Sequence, residues 1–165
     1  MIIIGYQGIG KSSVAKEDPT RIDLESSNFW YNGKRNEDWY IYYCQMAMDL
    51  SRQGYTVFVS SHEVVRKFLA ENNTTEPVYV IFPDKSLKNE WIERLKKRYY
   101  NSNLNKDYKA WKNAEDRFSE NITELEQPLG NFKIRHIIST NYDLNNIVRQ
   151  CEFAVMFRNI EEKEA

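Results

Sequence analysis

The sequence has few of the residues that cross-link a chain or anchor it in a membrane. Its two cysteines, Cys44 and Cys151, lie far apart and match no metal-ligand spacing, so we expect free, buried thiols in a reducing compartment. No apolar run approaches the roughly 20 residues of a membrane helix. Residues 1–5 have neither the basic region nor the long apolar region of a secretion signal. These absences predict a cytoplasmic protein with no membrane partner.

The chain also lacks a strong overall charge. Its net charge is −1, so any site for an anionic ligand must come from a local cluster of basic residues. A length of 165 residues, with 41% hydrophobic and 28% charged residues, is typical of one globular domain, residues 1–165, as a monomer or a homodimer.

Short apolar runs alternate with amphipathic segments along the whole chain. The runs predict five strands, at residues 2–5, 21–24, 55–60, 78–82 and 134–139. The segments between and after them predict helices at about residues 11–17, 37–53, 63–71, 84–100, 106–126 and 143–150, with a frayed charged tail at 161–165. This order predicts an α/β fold with a five-stranded parallel sheet and helices on both faces.

One motif with a clear chemical reason directly follows the first strand. Residues 5–12 read Gly-Tyr-Gln-Gly-Ile-Gly-Lys-Ser and match G-x-x-x-x-G-K-[ST] at every fixed position. Glycines allow a tight turn in which successive N–H groups face a phosphate chain, Lys11 reaches the terminal phosphates, and the Ser12 hydroxyl is a ligand for Mg²⁺. The motif predicts binding of ATP and Mg²⁺ by Gly5, Gln7, Gly8, Ile9, Gly10, Lys11, Ser12 and Ser13.

With this motif at its N-terminus, the chain resembles the P-loop small-molecule kinases, which include nucleoside monophosphate kinases, shikimate and gluconate kinases and phage deoxynucleotide kinases. The resemblance covers nearly the whole chain in the order of elements, but only the motif is specific in sequence. It implies a three-layer P-loop NTPase sandwich and transfer of the ATP γ-phosphate to a small acceptor, with a (deoxy)nucleoside monophosphate as first choice. It also implies a helical lid, for which residues 84–126 are the candidate.

The resemblance implies roles for residues that follow the second and third strands. Asp23 is the candidate general base or anchor for a metal-bound water, and Ser26 is a weaker candidate for acceptor binding. Ser61 lies at the carboxyl edge of the predicted sheet, and Arg66 is the candidate clamp for an acceptor phosphate or carboxylate. The alternatives are a solvated turn carboxylate at Asp23 and a surface ion pair at Arg66.

Two further groups of candidates come from the same resemblance. Arg94 and Arg98, four residues apart on one face of a basic helix, would neutralise the transferring phosphoryl group, although a solvated basic face is an equal alternative. Among many aromatic residues between the second and third strands, Phe29, Trp30 and Trp39 are candidates for stacking on a nucleobase, against ordinary core packing. His62 and His136 read as capping or packed residues.

The third strand ends in Ser60, Ser61 and His62, without the Asp that holds Mg²⁺ in many P-loop NTPases, which mildly favours a kinase. Two rival functions stay open. One is a kinase acting on a polynucleotide end or a sugar acid, and the other is a nucleotide-binding regulator that hydrolyses ATP slowly or not at all. A nucleic-acid partner is therefore a second choice.

Overall fold

The computed structural model describes residues 1–29, 34–73 and 75–164, and within them five strands form one sheet. The strands are β1 (Ile2–Gly5), β2 (Arg21–Asp23), β3 (Thr56–Ser60), β4 (Val78–Pro83) and β5 (Lys133–Ile137). All pairs are parallel and the order is β2-β3-β1-β4-β5. The predicted α/β fold with a five-stranded parallel sheet is therefore confirmed.

Six α-helices lie within the described residues. They are α1 (Lys11–Lys16), α2 (Trp39–Arg52), α3 (Glu63–Asn72), α4 (Lys88–Ser102), α5 (Asn105–Glu126) and α6 (Leu144–Glu164). Two 3₁₀ turns, Ser26–Phe29 and Lys85–Leu87, follow β2 and β4. None of the described helices is long and apolar enough to cross a membrane.

The central strand β1 is apolar because it is covered on both faces. Ile2, Ile3 and Ile4 are fully buried, and Ile3 is in register with Phe58 on one side and Tyr79 on the other. A parallel strand covered by helices on both faces reads as a continuous apolar run, which explains why this strand could be predicted from four residues. The loop that follows β1 therefore begins at the centre of the sheet edge.

The helices form layers on both faces of the sheet. The connection from β1 to β2 runs across the sheet in the opposite direction to the later connections between strands. Because crossovers between parallel strands are right-handed, α1 lies on one face of the sheet and the helices of the later crossovers lie on the other. The buried Arg21 of β2 agrees with this arrangement, because its guanidinium donates to the Val14 carbonyl of α1 and to Glu152 of α6. On the other face, Tyr43 of α2 donates to the Leu24 carbonyl.

The structure corrects several of the predicted boundaries. The last helix does not end at Gln150 but continues to Glu164, so residues 161–164 of the charged tail are helical rather than frayed, with an Arg158–Glu162 ion pair one turn apart. Helix α2 begins at Trp39, two residues after the predicted start, and the fifth strand runs from Lys133 rather than Ile134 and ends at Ile137.

The segment between β4 and β5 contains α4 and α5, which pack against each other and against the core. Their buried residues include Trp91, Leu95, Ala114, Phe118, Ile122 and Leu125. Helix α5 is not straight, because Arg117 has non-helical angles (φ −137°, ψ 21°). This kink brings Asn113 and Asn121 within 2.6 Å between side-chain nitrogen and oxygen, although eight residues of a straight helix span about 12 Å.

Candidate functional site

The glycine-rich loop, residues 5–12, leaves β1 at the carboxyl edge of the sheet, where ligands bind in parallel α/β proteins. Gly8 and Gly10 have φ angles of 84° and 105°, which side chains rarely adopt. A Cβ on Gly5 would lie 2.7 Å from the Ile9 and Lys11 side chains, so a larger residue there would displace the side chain of Lys11 or Ile9.

Side chains outside the loop hold its carbonyl oxygens. Trp91 Nε1 donates to the Gln7 carbonyl over 2.9 Å, and Arg94 donates to the Gly8 carbonyl over 3.2 Å. Tyr142 Oη donates to the Ile9 carbonyl over 2.7 Å. These three bonds use the loop's acceptors and leave its donors available.

The backbone N–H groups of the same loop differ from its carbonyl oxygens in their hydrogen-bond partners. Within the described part of the chain, no acceptor is found for the backbone N–H groups of Gln7, Gly8, Gly10, Lys11 and Ser12. Backbone donors without a partner are rare in folded proteins unless water or a ligand satisfies them. A loop with engaged carbonyls and available N–H groups has the donor set that a phosphate chain requires.

Lys11 is the cation of this loop, and it is half-buried. Its Nζ donates to the Gly5 carbonyl over 2.7 Å. Burial lowers the pKa of Lys11 to about 8, against the opposing influence of the Asp23 and Glu25 carboxylates. An anion next to Nζ would compensate for this loss of hydration, so the side chain is prepared for a negatively charged ligand.

Ser12 and Asp23 meet beside the loop. Ser12 Oγ donates to Asp23 Oδ2 over 2.5 Å, although the residues belong to α1 and to the end of β2. A hydroxyl and a carboxylate are both hard oxygen ligands, and Mg²⁺ is typically held by one or two such groups together with substrate phosphates and water. Among the described residues no group of three or more His, Cys, Asp or Glu side chains could hold a metal ion. The pair therefore fits Mg²⁺ held mainly by phosphates.

A cleft with a volume of about 760 Å³ opens next to the glycine-rich loop. Its walls come from the loop, the segments after β2 and β3, and α5. The cationic lining side chains outnumber the acidic ones; they are Lys11, Arg35, Arg66, Lys106, Lys109 and Arg117, against Glu25, Glu63 and Glu124. The cleft is therefore suited to an anionic molecule, although the whole chain is nearly neutral.

Arg66 is the most buried cation of this cleft. Its Nε donates to the Ser61 carbonyl over 3.1 Å, while its nearest carboxylate, on Glu124, lies 3.8 Å away. The Arg66 side chain is only 8% exposed, and burial lowers its pKa. A buried guanidinium whose ion pair spans 3.8 Å also attracts an anion in the cleft, which can accept hydrogen bonds from its planar fork.

The predicted acceptor residues divide into two groups. Ser26, Ser61 and Arg66 line the cleft together with Lys11. Phe29 and Trp39 lie instead in an aromatic cluster with Tyr43, with ring centroids 5.3 to 6.5 Å apart, and neither lines the cleft. Core packing, which was the alternative to stacking on a nucleobase, accounts for both rings in this arrangement. Trp30 lies outside the described residues.

The two arginines that were predicted to act from a lid, Arg94 and Arg98, differ in their contacts. Arg94 lies against the loop through the Gly8 carbonyl, and its guanidinium carbon lies 4.6 Å from the centre of the Trp91 ring. Arg98 bonds instead to Asp107 of α5 over 2.7 Å, with the Asp107 side chain only 4% exposed. Arg94 therefore belongs to the loop's surroundings, whereas Arg98 joins α4 to α5.

The cleft also contains a residue, Glu25, and a contact, from Gln7 to α5, that sequence reasoning missed. Glu25 faces the cleft, whereas Asp23, two residues earlier, does not line it. Gln7 Nε2 donates to the Ala110 carbonyl over 3.1 Å and lies 3.3 Å from Asn113 Oδ1, which links the loop to α5. The Asp-x-Glu spacing after β2 was a usable signal for Glu25. No local signal exists for a contact that spans more than 100 residues.

His62 lies at the cleft mouth, where its Nδ1 is 2.7 Å from Ser60 Oγ. Partial burial, together with the charges of Arg35 and Lys11, lowers the pKa of His62. Its ring also packs edge-on against Trp39. His62 precedes α3 without a side-chain capping hydrogen bond, so its edge-on contact with Trp39 fits the packing role rather than the capping role expected from the sequence. His136 lies in β5 against Phe82, away from the cleft.

Comparison with known proteins adds nothing to these observations: neither the protein-family models nor the curated proteins contain a match to the chain. The features that bear on function are therefore the loop, the Ser12–Asp23 pair and the cationic cleft.

Proposed function

We propose that the protein is an ATP-dependent phosphotransferase that transfers the γ-phosphate to a small anionic acceptor, with a (deoxy)nucleoside monophosphate as the first choice. One observation carries the proposal: a glycine-rich loop, whose N–H groups find no acceptor among the described residues and whose lysine is half-buried, opens directly onto a cationic cleft. A nucleotide phosphate chain fits the loop, and the cleft offers space and opposite charge for a second substrate next to it.

In the proposed reaction an oxygen of the acceptor attacks the γ-phosphorus, the bond to the β–γ bridging oxygen breaks, and ADP leaves. Lys11 and the loop N–H groups bind the developing charge. Arg66 orients the acceptor through its anionic group. Ser12 and Asp23 would hold Mg²⁺, which when bound neutralises negative charge on the phosphates.

The need for a base depends on the acceptor. A monophosphate acceptor attacks with an oxygen that is already ionised at neutral pH, so no proton has to be removed. A sugar acid or a polynucleotide 5′ end attacks with a hydroxyl, whose proton must go to a carboxylate. Glu25 lines the cleft and Asp23 lies beside Ser12. Glu25 is therefore the better-placed base for a hydroxyl acceptor, and Asp23 the better-placed metal anchor.

We also propose that residues 84–126 act as a lid. The segment is docked on the loop through Trp91, whose indole donates to the Gln7 carbonyl. A Cβ on Gly8 would lie 2.9 Å from Leu95 Cδ2, so α4 packs directly against the loop. Opening and closing of such a contact would admit substrates and then exclude water from phosphoryl transfer.

The decisive experiment measures ADP release from ATP·Mg²⁺ in the presence of each nucleoside monophosphate, common sugar acids and DNA 5′ ends. The proposal expects release that depends on one acceptor class, and a phosphorylated acceptor identified by mass spectrometry. Lys11→Ala is the control, since it removes the cation of the loop. ATP binding with slow hydrolysis and no phosphorylated acceptor would favour the nucleotide-binding regulator instead.

A further inference from the structure

The far end of the α4–α5 pair carries an aromatic cluster that the proposed reaction does not use. The cluster contains Tyr99, Tyr100, Tyr108 and Trp111. Tyr99 and Trp111 each lie 5.2 to 6.0 Å from every other ring of the cluster by ring centroid, and Tyr99 is stacked on Trp111 at 27°. Tyr100 is 60% exposed and Tyr108 is 40% exposed. Aromatic surface of this extent costs free energy in water, so a cluster of exposed rings indicates a ligand for their faces.

Lysines flank the same rings. Lys112 Nζ lies 4.3 Å from the centre of the Trp111 ring, and Lys96 Nζ lies 5.9 Å from it. Lys112 also lies 3.5 Å from Glu115, an exposed pair that contributes little stability. The indole nitrogen of Trp111 is buried and has no hydrogen-bond partner within the described residues. We call these residues, Tyr99, Tyr100, Tyr108, Trp111, Lys96 and Lys112, the hairpin face.

The hairpin face lies in the most basic part of the chain. Residues 85–112 contain nine lysines and arginines against three carboxylates, although the whole chain has a net charge of −1. One of the three carboxylates, Asp107, is already engaged by Arg98 and Ser102. The surroundings of the rings are therefore strongly cationic, and the fitting partner is a polyanion.

Lys109 connects the hairpin face with the cleft. Lys106 and Lys109 line the cleft, and neither forms an ion pair with a carboxylate of the described residues. Lys112 lies three residues after Lys109, about 60° around α5, because each residue of an α-helix turns by about 100°. A band of lysines thus runs along α5 from the cleft to the exposed rings.

We propose that the hairpin face binds single-stranded nucleic acid, with bases stacked on the tyrosines and phosphates paired with the lysines. Single strands present flat base faces next to a phosphate at regular intervals, and this combination of rings and cations matches both. A duplex hides its base faces, and an acidic peptide or an anionic lipid surface offers no flat rings. The proposal does not depend on phosphoryl transfer.

Fluorescence anisotropy of a labelled dT₁₂ strand, with the full chain and without nucleotide, tests this directly. Binding should weaken as salt rises from 50 to 200 mM. Tyr100→Ser should weaken binding by about fivefold or more, the cost of losing one stacked base. Tyr42→Ser is the matched control, because Tyr42 is 59% exposed on α2, outside the hairpin face, and its loss should leave dT₁₂ affinity unchanged.

The lysines have their own control. Lys112→Gln should lower the slope of log affinity against log salt by about 0.7, whereas Lys67→Gln, at an exposed lysine of α3, should leave it unchanged. Lys11→Ala should keep dT₁₂ binding, which separates this proposal from the proposed activity. Equal losses for Tyr100→Ser and Tyr42→Ser, equal affinity for a 12-base-pair duplex, or binding to phosphatidylserine vesicles without binding to dT₁₂ would each overturn the proposal.

Discussion

The hydroxyl of Ser12 donates a hydrogen bond to the carboxylate of Asp23 across 2.5 Å, and this contact joins the glycine-rich loop to the end of the second strand. The two residues are eleven positions apart in the chain. Helix α1 is short, so β2 returns at once to the sheet and its last residue lies beside the first turn of that helix. A hydroxyl and a carboxylate thereby share one position next to the proposed phosphate site.

Asp23→Asn should lower kcat far more than it weakens ATP binding. We expect a loss of about 10- to 100-fold in kcat and a higher Mg²⁺ concentration at half-maximal rate, because the amide is a poorer metal ligand. Steady-state kinetics with titrated Mg²⁺ measures both. Asp49→Asn, at an exposed residue of α2 paired with Arg52, is the control. A normal kcat would make Asp23 a structural residue.

Lys11→Ala should abolish turnover and weaken ATP binding while the protein stays folded, because a loop side chain facing a ligand contributes little to the core. Calorimetric titration with ATP and thermal unfolding followed by circular dichroism separate the two effects. Turnover at the parent rate in the purified variant would contradict the assignment of the site.

ATP affinity should fall as pH rises through about 8, where burial sets the pKa of Lys11 in the free protein. Below that pH the lysine is already charged and binds the anion directly. Above it, binding must also take up a proton, so affinity falls by up to about tenfold per pH unit. Titrations with ATP between pH 7 and 9.5, in buffers of different ionisation enthalpy, should show that binding takes up a proton. Lys11→Arg stays charged in this range and should lose the dependence.

Arg94→Ala and Arg98→Ala should have different effects, although both were predicted to act on the transferring phosphoryl group. Arg94→Ala should lower kcat more than it raises the KM for ATP, because it removes a cation that contacts the loop. Arg98→Ala should lower the free energy of unfolding by about 1–3 kcal/mol, since it leaves the buried Asp107 without its cation. Kinetics and urea unfolding distinguish them, with the exposed Lys97→Ala as control. If both variants lost kcat equally and neither lowered the free energy of unfolding, both arginines would act on the transferring phosphoryl group as first predicted.

Arg66→Lys should raise the KM for the acceptor by about tenfold or more and leave the KM for ATP nearly unchanged. Lysine keeps the charge but not the planar fork that binds a phosphate or carboxylate through two bonds. Lys67→Ala, which changes an exposed neighbour on α3, is the matched control. A rise confined to the KM for ATP would mean that Arg66 faces the nucleotide rather than the acceptor.

ATP·Mg²⁺ together with an unreactive acceptor analogue should protect the amides of residues 84–126 from hydrogen exchange. This is the proposed lid, whose contacts with the loop would open and close, whereas β1 lies at the centre of the sheet and should exchange slowly at all times. Exchange followed by mass spectrometry resolves the two segments. Identical exchange of residues 84–126 with and without ligands would show that the segment is fixed.

Local patterns predicted much of the fold. The apolar runs indicated all five strands, and Gly54 ends α2 as expected, with a φ of 99° that favours glycine. The end of α6 was predicted wrongly: the helix was expected to end at Gln150, and residues 161–165 were expected to form a frayed tail because of their charge. Charged side chains are good helix formers when they pair along the helix, as Arg158 and Glu162 do.

The sequence by itself determined the α/β order, the five parallel strands and the position of the glycine-rich loop, because each depends on residues close together in the chain. Only the tertiary structure decided which side chains share the cleft. It brought Arg66 and Glu25 to the cleft, kept Phe29 and Trp39 in an aromatic cluster outside it, and joined Gln7 to Asn113. Such contacts depend on strand order and on the kink of α5 at Arg117, which arise from packing of the whole chain rather than from any local pattern.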